Sequence, residues 1–77
     1  MVEAYVLIET EIGKMGRVTE ALRRAPGVSV AEVLSGPYDV IVKADAADMD
    51  ELGRLVVANI QTIEGVTRTL TCPVVRL

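Results

Sequence analysis

The sequence predicts an α+β domain of order βαββαβ, a four-stranded antiparallel sheet with two helices on one face. Three observations predict it. The apolar pattern changes from strand-like runs to helical spacing and back in that order. Gly and Pro stand at most of the changes. A chain of 77 residues buries only about 60% of its unfolded surface, which leaves room for one core, so residues 1–77 read as a single domain.

The first strand is predicted over Val2–Glu9, where Ala4–Ile8 (AYVLI) is a short continuous apolar run rich in β-formers. Over Lys14–Ala25 the spacing is helical, with Met15, Val18, Leu22 and Ala25 on one side and Arg17, Glu20, Arg23 and Arg24 on the other. Pro26-Gly27 ends this helix, because proline cannot continue the hydrogen-bond ladder and glycine accepts the chain reversal. Val28–Leu34 (VSVAEVL) and Val40–Ala44 (VIVKA) then form a hairpin around Gly36-Pro37-Tyr38-Asp39. Pro37 presets φ for the first central position of a turn and the Cβ of Tyr38 resists a positive φ, so a type I or looser reversal is expected. Asp48 opens the second helix as its cap, with Glu51 placed to complete a capping box. Leu52, Leu55, Val56, Ile60 and Ile63 trace the apolar face of that helix, and Gly65 marks its exit. Val66–Cys72 (VTRTLTC) alternates, with Thr67, Thr69 and Thr71 on one side and Val66, Arg68, Leu70 and Cys72 on the other. Pro73 restricts this last strand to a sheet edge or a bulge. Together the elements make the split-βαβ, or ferredoxin-like, sandwich.

That plan leaves one sheet face uncovered. Alternation sends Val6 and Ile8 one way and Tyr5 and Leu7 the other, and in the third strand it sets Val40 and Val42 against Ile41. Both faces are therefore apolar, and a chain this small needs a partner, a metal or disulfides. One cysteine and no histidine remove the last two. A homodimer formed sheet to sheet is expected, with Tyr5, Leu7 and Ile41 at its interface.

Composition narrows the function. A formal charge of −3, scattered cations and an aromatic content of two tyrosines argue against direct nucleic-acid binding. The apolar stretch near the N-terminus is too short and too acidic for a signal peptide or a membrane span, so a cytoplasmic protein is expected. No nucleophile and base can be paired without histidine, and Cys72 reads as a buried structural thiol. There is no phosphate-cradling loop and no metal-ligand spacing. The chain reads as a non-enzyme without cofactor or metal.

The hairpin Gly36-x-Tyr38-Asp39, the apolar third strand, Glu64-Gly65-Val66 before the fourth strand and the pair Thr69-x-Thr71 within it resemble the effector-binding domain of the Lrp/AsnC transcription regulators. The resemblance runs from Ala4 to Val75, and it is to the stand-alone versions that lack a helix-turn-helix DNA-binding domain. It implies pairing through the open sheets, assembly of dimers into an octamer or other ring, and a free amino acid or related small effector held near the hairpin between dimers. By resemblance Gly36, Pro37, Tyr38 and Asp39 line that pocket, Thr69 and Thr71 stand nearby, and a full-length Lrp/AsnC regulator is a candidate partner.

Each of these residues also has a plainer reading. Asp39 can accept backbone N–H groups at the turn, or meet an effector's ammonium group while main-chain N–H groups near Gly36 take its carboxylate. Tyr38 suits an interface plug as well as a ligand contact. Thr69 and Thr71 suit a solvated strand face. The whole chain accordingly reads as an amino-acid sensor, as a purely structural oligomerisation module, or as an ACT-like regulatory subunit of a metabolic enzyme.

Overall fold

A computed structural model describes residues 1–77. Its elements are β1 (Val2–Thr10), α1 (Met15–Arg23), β2 (Val28–Val33), β3 (Val40–Ala46), α2 (Met49–Leu55) and β4 (Val66–Pro73). The strands form one antiparallel sheet of order β2-β3-β1-β4, with both helices on one side: the ferredoxin-like plan. No helix is long and apolar enough to cross a membrane.

Strand alternation sets the core. Ala4, Val6 and Ile8 of β1 and Val40, Val42 and Ala44 of β3 are all buried beneath the helices, with Val6 opposite Val42 and Ile8 opposite Val40. Val18 and Leu22 come down onto them from α1, and Leu52, Val56 and Ile60 from α2 and its continuation. Met15, expected on the buried side of α1, remains 36% exposed, and Thr19, one turn further on, is buried. The Thr19 hydroxyl donates to the Met15 carbonyl at 2.8 Å, so its burial leaves no donor unsatisfied.

The second helix begins as its sequence dictates. Asp48 Oδ1 accepts the Glu51 N–H at 2.8 Å, although Glu51 makes no return bond and only half of the capping box forms. Asp48→Ala is expected to cost about 1 kcal/mol. A thermal melt should register it as a fall of about 4–8 °C.

Beyond Leu55 the helix widens into a π-helical segment, Val56–Ile60, in which the Gln61 N–H donates to the Val56 carbonyl at 2.8 Å. The apolar spacing explains the change. Leu52, Val56 and Ile60 recur every fourth residue, and in a straight α-helix of 3.6 residues per turn each step overshoots by about 40°. A wider turn takes up the overshoot and keeps Ile60 fully buried.

Two glycines close the connections. Gly27 (φ +85°) turns α1 into β2, where an added Cβ would collide with the Leu55 side chain. Gly65 (φ +102°) turns the second helix into β4, and a Cβ there would lie 3.0 Å from both Lys14 Cβ and Val18 Cγ2.

Two sequence expectations are corrected by the pairing, and the looser of the two reversals expected for the hairpin is the one formed. β2 stops at Val33, and the reversal is an open loop over residues 34–39 with no positive φ, closed by the Leu34 N–H on the Asp39 carbonyl at 2.8 Å. β4 is the outer strand, as Pro73 requires, but its faces are the reverse of a solvated threonine side. Thr69 pairs with Ile8 and Thr71 with Val6, which puts both threonines on the helix-covered face, half-buried. Cys72 consequently lies on the open face beside Tyr5 and is exposed rather than buried.

The open face has an ordered pattern. Ile41, Leu7 and Leu70 form one row across β3, β1 and β4, and the neighbouring row places Tyr5 between Lys43 and Cys72. Tyr5 is 43% and Leu70 46% exposed, while Leu7 and Ile41 are half-buried. Charge sits at both ends: Lys43 pairs with Glu3 at 3.4 Å, and Arg68 faces Glu9 at 3.7 Å.

Candidate functional site

The hairpin end of the sheet is built around Asp39. Regular pairing of β1 with β3 reaches Ile8 opposite Val40, and the Asp39 N–H continues it onto the Ile8 carbonyl at 2.9 Å. On the other side of β1 the register with β4 slips between Glu9 and Thr10, a bulge that disturbs the ladder there. Asp39 supplies the missing acceptor: its Oδ2 takes the Thr10 N–H at 2.8 Å and the Thr10 hydroxyl at 3.2 Å. Oδ1 forms no hydrogen bond within the chain. The carboxylate therefore has a structural role on one oxygen and a free acceptor on the other.

Tyr38 points away from the helices. Its hydroxyl accepts a hydrogen bond from Arg68 Nη2 at 3.2 Å, and the Arg68 guanidinium carbon lies 5.6 Å from the ring centroid. The Tyr38 hydrogen bond first, then the charge interactions with Tyr38 and Glu9, hold the Arg68 pKa above the ordinary guanidinium value. Arg68 and Thr10 are the two residues at this end that sequence reasoning missed. Alternation had already put Arg68 on the side of Leu70, but only the folded hairpin, through the hydrogen bond to Tyr38, reveals that this is also the side of Tyr38.

Gly36 and Pro37 are exposed at the loop tip, and a Cβ on Gly36 would meet nothing within 4 Å. The N–H groups of Ser35, Gly36 and Tyr38 have no acceptor inside the chain. Thr69 and Thr71 belong to the opposite face from Tyr38. The Thr69 hydroxyl accepts from Gln61 Nε2 at 2.9 Å, and no side-chain hydrogen bond joins either threonine to the hairpin. Because β4 is an edge strand, both of its faces are within reach of a neighbour on that side.

No substantial hollow is lined by the hairpin. A concavity of about 520 Å³ lies between Pro26-Gly27, the end of β3 and α2. A smaller one of about 300 Å³ runs along Gln61, Thr67, Arg68 and Thr69 at the β4 edge.

Over residues 3–77 the chain matches the family described as the Lrp/AsnC ligand binding domain. The crystal structure of TTHA0845 from Thermus thermophilus superposes with a TM-score of 0.92 at 32% identity, covering 100% of this chain and 96% of that one. A curated relative, the uncharacterised HTH-type transcriptional regulator PH1916 of Pyrococcus horikoshii, is 35% identical over 71 residues, 88% of this chain and 47% of the regulator. Homocitrate synthase of Sulfurisphaera tokodaii is 41% identical over 59 residues, 77% of this chain but 13% of that enzyme. The chain thus spans less than half the length of each of these two curated relatives. It belongs to the Lrp/AsnC ligand-binding-domain family.

Proposed function

We propose that this chain is a cytoplasmic amino-acid-sensing module that works as an assembly and acts on a transcription regulator of its own family. Copies pair through the open sheet with Tyr5, Leu7 and Ile41 at the centre of contact, and the dimers close into an octamer or another ring. A free amino acid sits at the hairpin between dimers, touching Gly36, Pro37, Tyr38 and Asp39, with Thr69 and Thr71 offered from the β4 edge. No catalytic step is involved.

One observation carries this reading. An apolar row on an uncovered sheet runs up to a hairpin that leaves Asp39 Oδ1 and the N–H groups of Ser35, Gly36 and Tyr38 unpaired and lines no substantial hollow on one chain. A site completed only by a second copy has these properties, and a ligand that binds it stabilises the assembly by mass action. Its chemistry suits a zwitterion: Asp39 Oδ1 for an ammonium, and free N–H groups and Arg68 nearby for a carboxylate.

The experiment is a thermal-shift screen against the twenty amino acids one at a time. At least one is expected to raise the melting temperature of the wild type. Asp39→Asn, which retains an oxygen for Thr10 but loses the charge, should abolish that rise. A panel in which nothing responds sinks the sensor and leaves a scaffolding module.

The match to part of a homocitrate synthase favours one second reading, the same module regulating a metabolic enzyme. Capture of an enzyme rather than a regulator by the tagged, ligand-loaded chain would select it.

A further inference from the structure

We infer that Arg68 is the group that recognises the effector's carboxylate, an inference that rests on the hairpin being the amino-acid site. A guanidinium offers five N–H donors in a planar fork. Within the chain Arg68 makes one hydrogen bond, from Nη2 to the Tyr38 hydroxyl at 3.2 Å. Its partner in charge, Glu9, is 3.7 Å away, close enough to attract but beyond hydrogen-bond range. Four donors are left free on a side chain that is 64% exposed. Contact with the Tyr38 ring at 5.6 Å limits the head's movement, so a ligand would have less orientation to impose.

Position agrees with this assignment. Arg68 belongs to β4, yet its head reaches back across β1 to Tyr38, the residue next to Asp39. The long side chain thus brings a cation toward the hairpin that carries the free Asp39 Oδ1. Four other cations are committed elsewhere, Lys14 to Glu64, Lys43 and Arg76 to Glu3, and Arg23 to the Ala31 carbonyl, while Arg17, Arg24 and Arg54 have no such partner but belong to the helices, on the other side of the sheet. Arg68 also lies one row beyond Ile41, Leu7 and Leu70, at the rim of the apolar face, where a junction between copies leaves room for a small molecule. A planar fork with a free edge binds a carboxylate through two parallel hydrogen bonds.

Glu9 makes the inference sharper. Its carboxylate, 3.7 Å from the guanidinium, offsets part of the charge that a ligand carboxylate would meet, so it acts as a weak internal competitor. Removing its charge should tighten ligand binding, whereas a purely structural Arg68 would gain nothing from that loss.

Isothermal titration of the assembled protein tests this with whichever L-amino acid gives the thermal shift, beside the same amino acid as its C-terminal amide. The acid is expected to bind, and the amide to bind about 10- to 100-fold more weakly to the unaltered protein. Arg68→Gln should weaken the acid by a similar factor and leave the amide unchanged, while Glu9→Gln should tighten the acid. Equal binding of acid and amide overturns the assignment, as does an affinity for the acid unaltered in Arg68→Gln. Response to an amino acid without dependence on Arg68 defeats this inference alone, and no response to any amino acid defeats the sensor reading with it.

Discussion

Leu22→Ala is expected to destabilise the chain by about 3 kcal/mol and to lower its melting temperature by more than about 10 °C. Leu22 is 0% exposed and stands with Val18 over Val6, Ile8 and Val42 in the main apolar cluster. Truncation removes its transfer free energy and leaves a cavity that a sheet-backed core cannot collapse to fill. The loss is large against the total, because a 77-residue domain has about 4–12 kcal/mol of stability in all. Met15→Ala, on the same helix but 36% exposed, should cost less than about 1 kcal/mol. Urea unfolding of both variants at one fixed protein concentration is the measurement, since any association would add to both midpoints. Equal losses would mean that the core does not lie where alternation in β1 and β3 puts it.

The contrast between Leu22 and Met15 shows what periodicity can and cannot convey. Val18 and Leu22 lie over the sheet as their spacing demands, because both face strands whose own alternation is equally regular. Met15 satisfies the same spacing but begins the helix, where the chain is still rising from the loop after β1. In the second helix every apolar residue expected on the inner face is at least partly buried. Its widened last turn is nevertheless a compromise between a four-residue spacing and a 3.6-residue helix, and it becomes visible only when both ends are anchored on the sheet.

The candidate site was legible in a different degree. Tyr38 and Asp39 could be singled out because an acid and an aromatic at a hairpin are local features. Thr10 and Arg68 could not, since each enters through pairing with a strand distant in sequence: Thr10 through a bulge that frees its N–H, Arg68 through a register that sets it opposite Glu9. Alternation divided Arg68–Cys72 correctly into two sets of side chains, but the bulge beside Glu9 turns Val66, expected with Arg68, in against the core. Which set met the helices depended on strand order, because Thr69 and Thr71 follow the facing of Ile8 and Val6 beside them.

The same rows decide the second large effect. Leu7→Lys is expected to raise the dimer dissociation constant by at least about 100-fold, equivalent to about 2.7 kcal/mol. Leu7 is at the centre of the row Ile41–Leu7–Leu70, and a two-fold sheet-to-sheet contact would bring that row against its own copy. Two ammonium groups would then be trapped in an apolar patch with the acids Glu3 and Glu9 only at its ends, and burying an unpaired charge costs far more than the lost contact. In a single chain the lysine could extend into water from a half-buried position, so the fold should survive and the circular dichroism spectrum should be unchanged. Sedimentation velocity at micromolar concentration should show wild-type dimers or larger rings and a variant near 8.3 kDa. A substitution at Val57, 59% exposed on the helix side, supplies the control and should leave assembly intact. Identical sedimentation of wild type and Leu7→Lys would remove the open sheet as the contact surface. Without sheet-paired dimers there would be no ring of dimers, and the amino-acid site between dimers would lose the neighbour that completes it.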